Sequence, residues 1–175
     1  MVNLEWLTIF SIVIIVQRLG ELYFAEKNRR KMLQAGAKEY GQEHYPYFFI
    51  LHTLWIAGWV VEGGLLGSIS TLWYFWLALI AAAQILRYWC IVSLGRCWNT
   101  RILVLPGMPL IKKGPYGLFR HPNYLAVAIE IISIPMFFQA LYTGIIASAL
   151  NGWLLWKVRI PMEEKALQGL SANVK

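Results

Sequence analysis

Two short segments of this 175-residue chain carry side chains whose types and spacing could do chemistry. The first is Gly114-Pro115-Tyr116-Gly117-Leu118-Phe119-Arg120-His121-Pro122-Asn123-Tyr124. Its Gly-Pro pair makes a tight turn, and Pro122 suits the first turn of a helix, where its missing N–H is not needed. The free backbone N–H groups and the dipole of that helix end favour an anion, and Arg120 and His121 stand beside it. The chemistry is that of a carboxylate or phosphate site, although the same residues would also serve as a lipid-headgroup anchor. The second segment is Arg159-Ile160-Pro161-Met162-Glu163-Glu164, where Pro161 restarts a helix whose first turn holds two carboxylates. The helix dipole alone would explain that acidic pair. If both segments lie at the same ends of two adjacent helices, however, the basic and acidic pairs together suit a zwitterion, such as an amino-acid moiety.

A second group of residues interrupts the apolar stretches: Gln17, Arg18, Glu21, His52, Gln84, Arg87, Glu130 and Asn151. A charge in hydrocarbon costs at least about 2.5 kcal/mol, so these groups should face one another or a wet cavity. Read singly, each is as well explained as a structural ion pair or a group that reaches back to the interface. Read together, they predict a polar pocket towards one leaflet. Glu130 is then the inward carboxylate that could serve as a base.

The elements that must position these residues are membrane helices. Hydrophobic residues make up 58% of the chain and charged residues 14%, with nine Trp, nine Tyr and eight Phe. A soluble domain carries roughly 25% charge to wet its surface. The composition excludes a disordered chain, a basic globular nucleic-acid module and, with two cysteines, a disulfide scaffold. Apolar stretches at about 4–24, 47–66, 71–94, 124–139 and 141–158 predict an all-α integral membrane protein of about five transmembrane helices in a single membrane domain, 1–175. Arg18 and Glu21 follow the first apolar run with no small-residue cleavage site, so that run reads as a retained helix rather than a signal peptide.

All but two of the 16 Lys and Arg residues fall in segments following the first, third and fifth spans, and the opposite connections near Gly67 and Ala140 carry none. By the positive-inside rule the N-terminus is outside and the C-terminus cytoplasmic. The net charge of +7 then serves topology and contact with anionic membrane lipids, without a nucleic-acid partner. The long inner segments, about 95–123 and 159–175, are expected to carry the machinery. Cys90 and Cys97 face the reducing side, and three scattered histidines, His44, His52 and His121, argue against a metal site.

At the two opening segments the sequence resembles the isoprenylcysteine carboxyl methyltransferase family, especially its small bacterial members. The resemblance rests on Gly114-Pro115-Tyr116, Arg120-His121-Pro122-x-Tyr124 and Arg159 with Glu163-Glu164, supported by Leu86-Arg87-Tyr88-Trp89 and Leu94-Gly95-Arg96-x-Trp98. It covers about residues 84–167 and extends more weakly to Gln17-Arg18 and Glu21. It implies an integral-membrane enzyme that uses S-adenosylmethionine and releases S-adenosylhomocysteine, with its cofactor pocket on the cytoplasmic side of the bundle. In the family the Arg-His-Pro segment and the Glu pair hold the methionine end, and residues before Gly-Pro-Tyr line the adenine. Carried over, the cofactor-binding residues are Gly114, Tyr116, Arg120, His121, Pro122, Tyr124, Glu163 and Glu164, with Leu110 and Ile111 at the adenine. Arg159 belongs to the catalytic end. Two departures stand out: Ala126 replaces a frequent glycine, and the chain stops soon after Glu164, where relatives continue.

The reading that follows is O-methylation of a lipophilic acceptor at the inner leaflet, in a bacterial cytoplasmic membrane. The acceptor is either a prenylcysteine-like carboxylate, which needs no base, or a phenolic or pyrone lipid, whose hydroxyl would use Glu130 or another carboxylate. Two other classes stand beside it. One is a sterol-reductase-type membrane enzyme with a nicotinamide cofactor, for which Lys112 and Lys113 supply part of the needed charge. The other is a non-enzymatic membrane module or transporter subunit, for which repeated halves and broken helices are missing.

Overall fold

The computed structural model describes residues 4–65 and 68–172. The turn expected near Gly67 and the last residues before Lys175 lie outside the described residues. The chain is a helical bundle: α1 (Leu4–Gln34), α2 (Tyr45–Leu65), α3 (Trp73–Leu94), α4 (Pro122–Phe137), α5 (Leu141–Leu154) and α6 (Ile160–Ala172). Three stretches, Glu5–Gln34, Gln42–Leu65 and Trp73–Cys97, are long and apolar enough to cross a membrane, and α4 is a shorter apolar helix. Their outer faces are built of large exposed apolar side chains such as Val16, Leu54, Ile85 and Val92, as expected where lipid replaces water.

The core lies where Leu7, Ile14, Trp55, Trp59, Ile80, Ile131, Ile134 and Phe138 meet, with Trp59 and Phe138 stacked. One contact in it follows directly from the sequence. Pro135 inside α4 has no N–H to give the carbonyl of Ile131 one turn earlier, and that carbonyl instead accepts from Trp55 Nε1 at 3.0 Å. At the opposite end, Glu62 of α2 accepts from the backbone N–H groups of Tyr142 and Thr143 at 2.9 and 2.8 Å, which caps α5 from a neighbouring helix.

Three features differ from the sequence expectation. First, α1 does not end near residue 24 but runs on to Gln34. Its charged extension is held by Arg30 and Arg29 on Glu26, and Asn28 Nδ2 donates to the carbonyls of Gly95 and Trp98 at 3.1 and 2.8 Å. Second, the bundle is not purely helical. β1 (Lys38–Tyr40) and β2 (Ile102–Val104) pair antiparallel, Glu39 opposite Leu103, and pack on Met162, Ala166 and Leu167 of α6. Arg29 and Arg101 both donate to Glu39, fixing this small sheet beside α1. Third, α5 does not stop before Pro161. It passes through a π turn, Leu155–Arg159, directly into α6. Pro161 cannot donate to the carbonyl of Lys157 and its ring crowds that carbonyl, and a widened turn relieves both.

Candidate functional site

The π turn and the N-terminus of α4 bring the two motif segments together. Tyr124, in the first turn of α4, donates from its hydroxyl to Glu163 of α6 and accepts from Arg159 Nε at 3.0 Å. Arg159 Nη2 donates to the carbonyl of Thr100 at 2.8 Å, and its guanidinium lies over the Phe48 ring at 5.8 Å. His121 stacks on Tyr124, its Nε2 is 3.4 Å from Glu164 and its Nδ1 is 4.0 Å from Glu163. Arg120, strongly exposed, reaches Glu164 at 3.3 Å. Basic and acidic pairs thus form one mixed cluster, and no side chain caps the helix end they surround.

The cluster borders a cavity of about 400 Å³, within the usual range for small-molecule sites. Tyr116, Arg120, His121, Asn123, Tyr124, Arg159 and Glu163 line one end of it. Apolar residues of α3, β2 and α6, among them Leu94, Leu103, Val104 and Leu167, line a flank. The other end runs between α1 and α2, where Ile15, Leu19 and Phe49 line the cavity and yet are 39%, 60% and 55% exposed, so it opens sideways through the bundle wall. Burial, followed by the adjacent Cys90 thiol, pushes the Tyr116 phenol well above the ordinary tyrosine range and keeps it a neutral hydrogen-bonding group.

Four polar atoms on this lining are buried and unpartnered among the described residues: Arg18 Nε, Trp98 Nε1, Asn123 Oδ1 and Asn151 Oδ1. Buried polar groups are otherwise satisfied almost everywhere in native proteins, so these atoms mark room for a polar ligand. An amino-acid-bearing, partly aromatic cofactor fits that donor set: carboxylates for an ammonium, a basic helix end for a carboxylate, and an apolar flank for a ring.

Other expected residues sit elsewhere. Leu110 is exposed, and neither it nor Ile111 lines the cavity. Gly114 and Pro122 act through the backbone. Gly114 has φ 58°, and a Cβ there would collide with Ser93 Oγ and lie 2.8 Å from Trp89 Nε1 of α3. Pro122 is buried in the first turn of α4. Glu130, 1% exposed, lies behind the cavity wall. Its Oε1 accepts from Gln84 at 2.8 Å and Arg87 Nε at 3.1 Å, and its Oε2 from Arg18 at 2.7 Å and from Arg87 Nη2. Glu21 completes this group by accepting from Arg18 at 2.7 Å and Arg87 at 3.2 Å. Arg18, Glu21, Arg87 and Glu130 therefore pair with one another across α1, α3 and α4, as their cost in hydrocarbon requires. Trp98, already part of the Leu94-Gly95-Arg96-x-Trp98 stretch, contributes to the wall together with Asn99 and Thr100, which carried no signal in the sequence because a loop residue's place in a cavity is set by what the loop packs on. Cys90 and Cys97 are free thiols.

A helical membrane bundle enclosing a zwitterion-lined cavity is the class that fold and site define. The sequence profile of the isoprenylcysteine carboxyl methyltransferase family matches residues 76–169, which contain both motif segments, and the chain belongs to that family of membrane methyltransferases. The chain is also similar to the "Uncharacterized protein YpbQ" of Bacillus subtilis (strain 168), with 44% identity over 96% of this chain and 99% of the relative. No solved structure matches the chain.

Proposed function

We propose that this protein is an S-adenosylmethionine-dependent O-methyltransferase acting on a lipophilic acceptor at the inner leaflet. The observation that carries the reading is one cavity that has both a zwitterionic end, at Tyr124, Glu163 and His121, and an apolar end between α1 and α2. Bound S-adenosylmethionine would supply a sulfonium-activated methyl group for in-line displacement. The chain's part is positioning and exclusion of water, which supply much of the rate in such transfers.

In this reading Glu163 takes the ammonium, Glu164 holds Arg120 and His121 from behind the lining, and Arg120, His121 and the N-terminus of α4 take the carboxylate. The flank of Leu94, Leu103 and Val104 takes the base in place of Leu110 and Ile111. Arg159, held by Tyr124 and Thr100, presents its guanidinium to the acceptor oxygen. Glu130 holds Arg18 and Arg87 rather than moving a proton. Lipid-facing α1 and α2 admit the acceptor from the bilayer, while the helix ends carrying the motif segments face the cytoplasm, with about five spans and the N-terminus outside. A dinucleotide reductase is less well supported, since Lys112 and Lys113, which would meet its phosphates, lie outside the cavity lining.

Calorimetry on detergent-solubilised protein tests the reading. S-adenosylmethionine and S-adenosylhomocysteine should bind and a nicotinamide dinucleotide should not. Binding of the dinucleotide alone would overturn it.

A further inference from the structure

The acceptor end of the cavity contains a base that the motifs do not include. His52 lies on the α2 wall of the cavity. Its Nδ1 is 2.8 Å from the carbonyl oxygen of Phe48, which can only accept, so Nδ1 carries the hydrogen and the lone pair of a neutral ring belongs to Nε2. No hydrogen bond engages Nε2 among the described residues. The other bases on or near the cavity are occupied. His121 has a carboxylate at each ring nitrogen, Glu163 accepts from Tyr124, and Glu21 and Glu130 are filled by Arg18, Arg87 and glutamine amides.

Position agrees with a role at the acceptor. Along α2, His52 is one turn, about 6 Å, from Phe48, whose ring lies under the Arg159 guanidinium. Phe49, the neighbour of Phe48 and one of the exposed lining residues between α1 and α2, and Thr53, the residue after His52, line the same wall. The imidazole therefore shares one stretch of the cavity wall with Phe49 at the side opening and with Phe48, which meets the Arg159 guanidinium. Asn151 of α5, 1% exposed, lines the same cavity with Oδ1 unpartnered, which calls for a donor on the ligand. The charges that act on His52 are Arg18 of α1, Arg87 of α3 and Glu130 of α4.

We propose, resting on the methyltransferase reading above, that the acceptor is a lipid bearing an acidic hydroxyl, a phenol or enol, and that His52 Nε2 takes its proton. A carboxylate acceptor arrives ionised and would leave this base without work. In the balanced step the acceptor O–H proton passes to Nε2 as the oxygen forms its bond to the methyl carbon, and the C–S electron pair returns to sulfur. The imidazolium then releases its proton to the water-facing end of the cavity. Asn151 Oδ1, also an acceptor, takes a different donor, since the hydroxyl's one proton goes to Nε2.

The test uses two probes in detergent, a long-chain 4-alkylphenol and its more acidic 2-nitro derivative. The wild type should methylate both. His52→Gln, with His52→Asn as a second variant should the first not fold, should lose about 10²-fold or more on the alkylphenol and less than about tenfold on the nitrophenol, which ionises unaided. Spectroscopy supplies a readout independent of turnover. In mildly acidic buffer, nitrophenol bound to the wild type should show the yellow nitrophenolate absorption, and nitrophenol bound to the variant should show the neutral form. Equal losses of the His52 variants on both phenols, or neutral nitrophenol in the wild type, would overturn the proposal. So would a protein that binds S-adenosylhomocysteine but methylates neither phenol. Failure to bind S-adenosylhomocysteine would instead remove the methyltransferase reading itself.

Discussion

Glu163 serves two neighbours at once: it accepts from the Tyr124 hydroxyl, and it faces His121 Nδ1 at 4.0 Å. A group in that position, if it also holds a ligand ammonium, loses a charge-assisted hydrogen bond when neutralised. Glu163→Gln and His121→Ala are therefore each expected to weaken S-adenosylmethionine binding by about 1–3 kcal/mol, measured by calorimetry. Arg159→Ala should differ, leaving cofactor affinity nearly intact while single-turnover methyl transfer collapses. The competing assignment would pair Arg159 with Glu163 one turn away, a contact worth only about 0.3–0.5 kcal/mol. The guanidinium instead donates to Tyr124 and Thr100, so an active Arg159→Ala would remove this residue from the catalytic end. At this scale the sequence was legible where residue type and spacing are themselves the chemistry, as in Arg120-His121-Pro122-x-Tyr124 and Glu163-Glu164. His52 and Asn151 could be recognised as polar interruptions of apolar runs. The tautomer of one and the missing partner of the other depend on neighbours distant in the chain, which periodicity does not reveal.

The element that aims Arg159 is the π turn before Pro161. Pro161→Ala returns an N–H to the helix and lets the turn close as α-helix, which displaces Arg159 by one residue, about 100° around the axis. Expected is a protein of equal or greater helix content and thermal stability with much reduced turnover; unchanged turnover would mean that the bulge does not set the guanidinium. The loop opposite is fixed by Gly114, with its positive φ and its close approach to Ser93 and Trp89. Gly114→Ala should cost about 1–3 kcal/mol of stability in detergent unfolding, because Cβ enters occupied space and the backbone is strained as well. Helices α2 and α3 were readable within a few residues, since hydrophobicity defines them. The extension of α1 was not, because Glu26, Arg29 and Arg30 sustain it by pairing along its surface where the apolar signal has ended. Nor was the strand pair, whose three-residue strands are too short for alternation to register and are held by Glu39 between two arginines.

For the whole molecule the question is how a bundle with so many polar groups tolerates a bilayer, and which way round it sits. Arg18, Arg87, Glu21 and Glu130 cancel in charge and pair with one another, so removing one member strands the rest. Glu130→Ala should destabilise the protein by about 3–5 kcal/mol, far more than the same change at exposed Glu43, whereas a purely proton-moving role would leave stability alone. Orientation follows from a different set of charges, the exposed ones. Lys112 and Lys113 lie on the loop that leads into the motif helix, on the same side as Arg120 and Glu164, while Ser68 belongs to the short connection at the other ends of α2 and α3. Positive charge is retained on the cytoplasmic side during insertion, and on the proposed methyltransferase reading a donor made in the cytoplasm would reach the zwitterionic end of the cavity from there, so Lys112 is expected inside on both grounds. With Cys90→Ala and Cys97→Ala as background, a membrane-impermeant maleimide added to intact cells should label Ser68→Cys and spare Lys112→Cys until the cells are opened. Labelling of Lys112→Cys from outside would place the cavity's polar end on the wrong side for its cofactor and overturn the inner-leaflet assignment, even if the enzyme still binds S-adenosylmethionine in detergent.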